Sequence, residues 1–106
     1  MNYLLDNGFE ILARNWRYNH GEIDLIAKKE NNLHFVEVKT RKTDNFGRPE
    51  EAVSTAKQKK LAETATAFLY AVNGAPECQF DIISIVGNPT KNHQLQYFPD
   101  AFFPFE

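Results

Sequence analysis

Little in this 106-residue chain could cross-link it or carry it into a membrane. It has one cysteine, Cys78, so no disulfide can close within it, and that usage fits a reducing cytoplasm. Its three histidines, His20, His34 and His93, have no second His or Cys at metal-ligand spacing, which argues against zinc. No apolar run approaches the ~18–20 residues of a membrane span. Residues Met1 to Asp6 also lack the basic start and long apolar stretch of a secretory signal. Nor is there an excess of positive charge: 12 basic against 14 acidic residues give a net charge of −2, which argues against a nonspecific polybasic nucleic-acid binder. Repeats and low-complexity stretches are missing too. What remains is an ordinary globular composition, 42% hydrophobic and 25% charged, of a length that predicts a single domain over residues 1–106.

Within that ordinary composition, two apolar runs carry charges in an unusual place. They are Gly21-Glu22-Ile23-Asp24-Leu25-Ile26-Ala27 and Phe35-Val36-Glu37-Val38-Lys39-Thr40-Arg41. Each alternates with the period of a half-buried strand, and the short polar link between them predicts a hairpin. Parity then puts Glu22, Asp24 and Ile26 on one face, with Ile23, Leu25 and Ala27 on the other. A turn centred on Glu30-Asn31 sets Asp24 opposite Glu37 and Glu22 opposite Lys39. If the centre is Asn31-Asn32, Asp24 faces Lys39 and Glu37 lies diagonally across. Either register gathers all four polar groups on one face, and Asn31 and Asn32 tolerate the positive φ of such a turn.

Facing carboxylates repel unless a cation offsets them. A divalent ion with oxygen ligands would do so, and Mg²⁺ is commonly held by one or two carboxylates while it keeps waters for substrate phosphates. The plainer reading makes the four residues the solvated face of an antiparallel sheet, with Lys39 neutralising the acids.

Asp24 followed by Glu37-Val38-Lys39 resembles the D…(D/E)-x-K core of the PD-(D/E)XK nuclease superfamily. More closely, the blocks from Gly8 to Arg17, Gly21 to Asp24, Phe35 to Arg41 and Phe80 to Ile83 resemble the YraN family of small bacterial nuclease-like proteins, whose core is similar to that of archaeal Holliday-junction resolvases. The resemblance implies a restriction-endonuclease-like α/β fold with a mixed central sheet of about five strands flanked by helices. It also implies Mg²⁺ or Mn²⁺ as cofactor, held by Asp24, Glu37 and the backbone carbonyl of Val38. Lys39 acts there on the attacking water or the phosphate, and Glu22 supports the site. A glutamate that the family carries on a longer first helix has no counterpart here.

Elsewhere, Tyr3 to Gly8 reads as the end of a helix stopped by Gly8. Phe9 to Trp16 reads as a strand with apolar groups on both faces, suited to the centre of a sheet. A loop over Lys42 to Pro49, with Phe46 and Arg48, leaves the second strand of the hairpin and is a candidate nucleic-acid contact. Ser54 or Thr55 caps a helix running to about Asn73, with Leu61, Ala65, Phe68, Leu69 and Val72 as its core stripe. Lysines in the first turns of that helix oppose the macrodipole preference, which marks Lys57 and Lys60, with Arg41, as candidate phosphate contacts. Cys78 to Val86 and Leu95 to Phe98 predict two more strands, Asp81 serving structure in the first. The aromatic tail over residues 101–105 is expected to pack on the sheet or on a second copy of the chain.

These readings converge on a metal-dependent endonuclease of the cytoplasm acting on DNA, with RNA left open, at branched or structured sites. Two alternatives stand beside it. One is a nucleic-acid-binding accessory module that keeps the fold without turnover, and the other a protein-interaction module using the aromatic tail.

Overall fold

A computed structural model of the chain describes residues 2–41, 53–74, 77–87 and 93–104. The elements follow in the order α1 (Asn2–Asp6), β1 (Glu10–Tyr18), β2 (Gly21–Lys29), β3 (Asn32–Arg41), α2 (Thr55–Ala71), β4 (Glu77–Gly87) and β5 (His93–Phe102). The strands form one five-stranded sheet in the order β1-β2-β3-β4-β5. Only β3 and β4 run parallel, and α2 is the crossover that such a pair requires. This is the mixed, helix-flanked α/β sheet of the restriction-endonuclease-like fold. The Lys42 to Pro49 loop lies outside the described residues.

Two apolar layers hold the sheet. On the α2 side Ile26, Leu33, Phe35, Phe80 and Ile82 meet Leu61, Ala65 and Phe68. On the other side Leu25, Ala27, Val36 and Ile83 are covered by Leu4 of α1 and by Phe9. Fully burying each large side chain contributes ~1.5–3 kcal/mol, so a sheet covered on both faces offsets the ordering of a small chain.

The β2–β3 register pairs Lys29 with Asn32 and Leu25 with Val36, the register of a turn on Glu30-Asn31. The left-handed residue of that turn is Glu30, at φ 58°, rather than an asparagine. Strand β1 departs further from expectation, for it is an edge strand and not a central one. Its apolar groups fall on both faces because its pleat is broken twice. The register shifts between Ile11 and Ala13, and Asn15 takes φ 48°. Ile11 therefore packs with the α1-side layer, while Ala13 and Trp16 both pack with the α2-side layer.

Helix α2 is capped by Ser54, whose side chain accepts from Lys57 N at 3.2 Å. At its other end Gly74 N donates to Leu69 O and Asn73 N to Tyr70 O, with Asn73 and Gly74 both at positive φ, a Schellman closure. Val72 is 43% exposed and drops out of the core stripe, and Thr64, fully buried, takes a place there instead. β5 is longer than expected. It runs through Pro99 and Asp100 to Phe102, whose ring stacks on Phe80 at 5.4 Å, so this part of the tail packs on its own sheet.

A close approach fixes α2 against the sheet. A Cβ on Gly21 would lie 2.0 Å from Thr64 Oγ1 and 3.3 Å from Lys60 Cγ, so only glycine lets the helix sit this near β2. Gly21→Ala should therefore destabilise the protein by ~1–3 kcal/mol, the usual cost of overpacking. Combining it with Thr64→Ala should recover much of the loss, and urea unfolding of the two single variants and the double measures that coupling. Simple additivity would mean that the helix position is set elsewhere.

Candidate active site

The hairpin does not stay paired along its whole length. Its ladder ends at Leu25 and Val36, and one residue further Asp24 Oδ2 accepts a hydrogen bond from Val38 N at 2.8 Å. Asp24 is also skipped on its other side: β1 and β2 pair at Arg14–Leu25 and at Trp16–Ile23, but the intervening position, facing the left-handed Asn15, is not a ladder pair. Both strands are thus bent on one line. The bend shifts parity, so that Ile23 packs in the same layer as Ile26, contrary to regular alternation. Because the pleat breaks there, the Asp24 carboxylate turns into the gap between β2 and β3.

Glu37 lies beside it, 4% exposed in its side chain. Burial first, and then a side-chain hydrogen bond with Asp24, push its carboxyl up to about 7 from an ordinary 4.5, although Lys57 pulls the other way. Two ammonium groups converge on Glu37 Oε2. Lys57 Nζ stands 2.6 Å away and Lys39 Nζ 3.9 Å away. The Lys57 contact is a short, charge-assisted one, and Lys39 stands at the limit of an ion pair. Burial, reinforced by the neighbouring Lys57, lowers the Lys39 pKa. For Lys57, burial is outweighed by Glu37, and its pKa rises.

This donor set suits a hard divalent ion. It has two carboxylates, one of them with a buried oxygen whose partners are the ends of two lysine side chains. The Val38 carbonyl projects to the same edge of β3 as its amide, towards the open side of the hairpin. Among the described residues no cluster of three or more His, Cys, Asp and Glu side chains forms, so a cation here would complete its shell from backbone, water and substrate.

The model of the uncharacterised protein family UPF0102 matches residues 1–85. The chain belongs to that family. It is 41% identical over 97 residues to a UPF0102 protein of Chlorobium phaeobacteroides, a match covering 91% of this chain and 77% of that protein. A UPF0102 protein of Bacteroides thetaiotaomicron is 40% identical over 102 residues, covering 96% and 84%. One from Symbiobacterium thermophilum is 41% identical over 101 residues, covering 94% and 86%. This is the YraN family that the sequence blocks resemble, and the UPF0102 match contains every residue of the constellation just described.

The remaining expected site residues are scattered more widely. Glu22 does not join the acid pair in a four-residue polar face; its partner is Arg17 across the β1–β2 ladder, Nε to Oε1 at 3.5 Å. Lys60 covers Gly21 with its stem and holds Glu63 Oε2 at 3.4 Å. Arg41 ends β3. Sequence reasoning marked Lys57 only as a phosphate contact and did not single out Ser84. Lys57 belongs to the acid pair directly, a position foreshadowed by the β3–α2–β4 crossover, which starts the helix at the carboxyl end of β3. Ser84, paired with Lys39 in the parallel ladder, is 4% exposed, and its hydroxyl accepts and donates no hydrogen bond; only the strand pairing could have revealed it. An open groove of about 400 Å³ lies at the far end of α2 against Leu69, Tyr70 and Gly74, and no charged group lines it.

A second buried carboxylate sits on the α1 side. Asp81 is fully buried and takes hydrogen bonds from Tyr97 Oη at 2.5 Å, Gln79 Nε2 at 2.8 Å and Asp100 N at 2.8 Å, with His34 Nδ1 at 2.6 Å. Burial alone would raise its pKa. The His34, Tyr97, Asp100 and Gln79 bonds together outweigh that and hold it low. Asp81 is therefore a structural hub, as its place in an apolar strand suggested.

The raised Glu37 pKa predicts a pH dependence. The folded state keeps a proton that the unfolded chain releases, so the stability linked to Glu37 is full below pH 4.5 and is lost as pH rises through about 7. Its size is on the order of 3 kcal/mol, from ~1.4 kcal/mol per unit. Denaturant midpoints in EDTA should fall between pH 5 and 8, and Glu37→Gln should flatten that fall. An equal slope in the variant would assign the dependence to another group.

Proposed function

We propose that this protein is a divalent-metal-dependent endonuclease that hydrolyses phosphodiester bonds in DNA, at branched or structured sites. The observation that carries the reading is the juxtaposition of Asp24, fixed by the Val38 amide, with the buried Glu37 at the opened end of the hairpin, where Lys39 and Lys57 both reach the Glu37 carboxylate. Two acids so placed in an apolar sheet pay desolvation and mutual repulsion whenever both are ionised, a cost that a bound cation offsets.

Asp24, Glu37 and the Val38 carbonyl would hold Mg²⁺ or Mn²⁺, which supplies Lewis acidity towards a phosphoryl oxygen. Asp24 is fixed for this by the Val38 amide, leaving its other oxygen for the ion. Lys39, with its pKa lowered and its side chain three-quarters buried, orients the attacking water or helps remove its proton. The same ammonium can balance charge that develops on the phosphate. Arg41, Lys60 and Lys57 lie on the β3 end and the first turns of α2, where they can contact the nucleic-acid backbone, while Glu22 pairs with Arg17. A non-catalytic accessory role draws on one specific observation, that only two carboxylates meet among the described residues.

Incubation with linear, nicked, flapped and four-way DNA in Mg²⁺ and in Mn²⁺ tests the proposal. Cleavage should need the metal and fall by at least ~100-fold in Asp24→Asn, Glu37→Gln and Lys39→Ala, as for loss of a key electrostatic group. Lys39→Ala should still bind Mn²⁺, since a charged ammonium is no ligand. DNA binding that weakens steeply with salt, without any cleavage, would favour the accessory role.

Stability gives an independent check. Without metal, Asp24→Asn should be at least as stable as the wild type, because the amide oxygen can keep the Val38 bond while the repulsion with Glu37 is relieved. A ligand binding only the folded state adds ~2.7 kcal/mol at a hundred times its Kd, and the variant should lose most of that increment. Melting curves of both proteins in EDTA and in millimolar Mg²⁺ compare them. A small loss in the variant that ignores the metal would return the acids to a plain polar face.

A further inference from the structure

We propose that Lys57 is an exchangeable counter-cation: its ammonium occupies the acid pair in the metal-free protein, and a divalent ion entering between Asp24 and Glu37 displaces it outward, where it meets the substrate phosphate. The inference rests on the reading of Asp24 and Glu37 as metal ligands, and goes beyond it by giving this lysine two positions.

The geometry separates the two lysines at Glu37. Both reach the same oxygen, but Lys57 is the nearer, at 2.6 Å against 3.9 Å. Lys39 belongs to β3, where it pairs with Ser84 of β4, and its side chain is only 25% exposed. The Lys57 side chain is 45% exposed and arrives from the first turn of α2. It has solvent to move into, and the four-carbon stem of a lysine allows that movement without help from the backbone.

The backbone itself has little freedom. Lys57 N is bonded to Ser54 Oγ at the helix cap, and further along Thr64 and Lys60 rest on Gly21 with no room for a methyl group. Any rearrangement at the acid pair is thus confined to the Lys57 side chain. Charge gives the reason for one. A carboxylate as buried as Glu37 needs a cation close by, and a lysine supplies it when no metal is bound. A divalent ion on the same oxygens is a stronger partner and repels an ammonium a few ångströms away. The displaced amine remains tethered at the rim of the site, on the side open to solvent. A group of the opposite sign that arrives there with the ion's remaining coordination positions is a phosphate diester.

Position 57 also has an odd local energetics. It lies in the first turn of the helix, where the macrodipole disfavours a cation. A lysine there loses helix stability and gains a carboxylate, and the exchange gives that carboxylate up only when something better replaces it.

The test uses the full chain without nucleic acid. Brief acetic anhydride labelling, read residue by residue by mass spectrometry, is carried out in EDTA and in saturating Mg²⁺. Lys57 labelling should rise several-fold with the metal, while Lys28 and Lys29, exposed at the hairpin turn, stay constant. Asp24→Asn should abolish the rise. In a second measurement, Mn²⁺ titration followed by electron paramagnetic resonance, Lys57→Met should bind Mn²⁺ several-fold more tightly than wild type, and Lys57→Arg should not.

Metal binding with Lys57 labelling unchanged would overturn the exchange and leave the metal site standing. So would weaker Mn²⁺ binding in Lys57→Met, since the lysine would then be arranging the acids and not competing for them. A rise at Lys39 in place of Lys57 would assign the movement to the wrong lysine. Failure of the wild-type protein to bind Mn²⁺ at all would sink the exchange and the metal reading together.

Discussion

A carboxylate placed inside a sheet must either be protonated or be given a cation, and Glu37 is placed so that both remedies are within reach. Asp24 shares a hydrogen bond with it, and two lysines converge on one of its oxygens. Each part of the fold near the site answers to that requirement. The paired bend at Asn15 and Asp24 turns one acid into the gap between β2 and β3. The crossover from β3 to β4 starts α2 at the same end of the sheet, and the bare Cα of Gly21 lets that helix come close enough for Lys57 to touch the acid.

The protein contains a built-in control for this argument. Asp81 is as deeply buried as Glu37, in the neighbouring strand, yet the two are driven in opposite directions. Asp81 is surrounded by four hydrogen-bonding groups that fill its lone pairs, so its charge is satisfied and it knits β3, β4 and β5 together. Glu37 has no such set of fixed donors: its Oε2 is met by the ends of two lysine side chains, one of them nearly half exposed. Burial alone does not mark a functional group. Partners that can be exchanged do, and they separate an acid that organises a fold from one available for chemistry.

Much of this was legible from residue order alone. Alternation gave the hairpin, and one of its two registers matches the observed pairing; Ser54, Gly74 and the spacing of Leu61, Ala65 and Phe68 gave α2. Period-two reasoning failed where the pleat is broken. It placed Ile23 with Leu25, put β1 at the centre of the sheet and brought Glu22 to the acid pair, and in each case a backbone irregularity that no side chain announces has reversed the parity. Lys57 looked like a phosphate contact because its departure from the dipole rule was visible, whereas the carboxylate that explains it is twenty residues away in the chain. Contacts set by topology become readable only after the strand order is known.

The sheet ends on both sides in strands that are locally misshapen. β1 carries a register shift near Leu12 and a left-handed Asn15, and β5 a shift opposite Asp81 with Pro99 and a left-handed Asp100. A flat, regular border would template another strand, from a second copy or from any extended peptide, and grow by backbone pairing. These borders are poor templates. Borders of this shape oppose growth of the sheet by backbone pairing with a further strand.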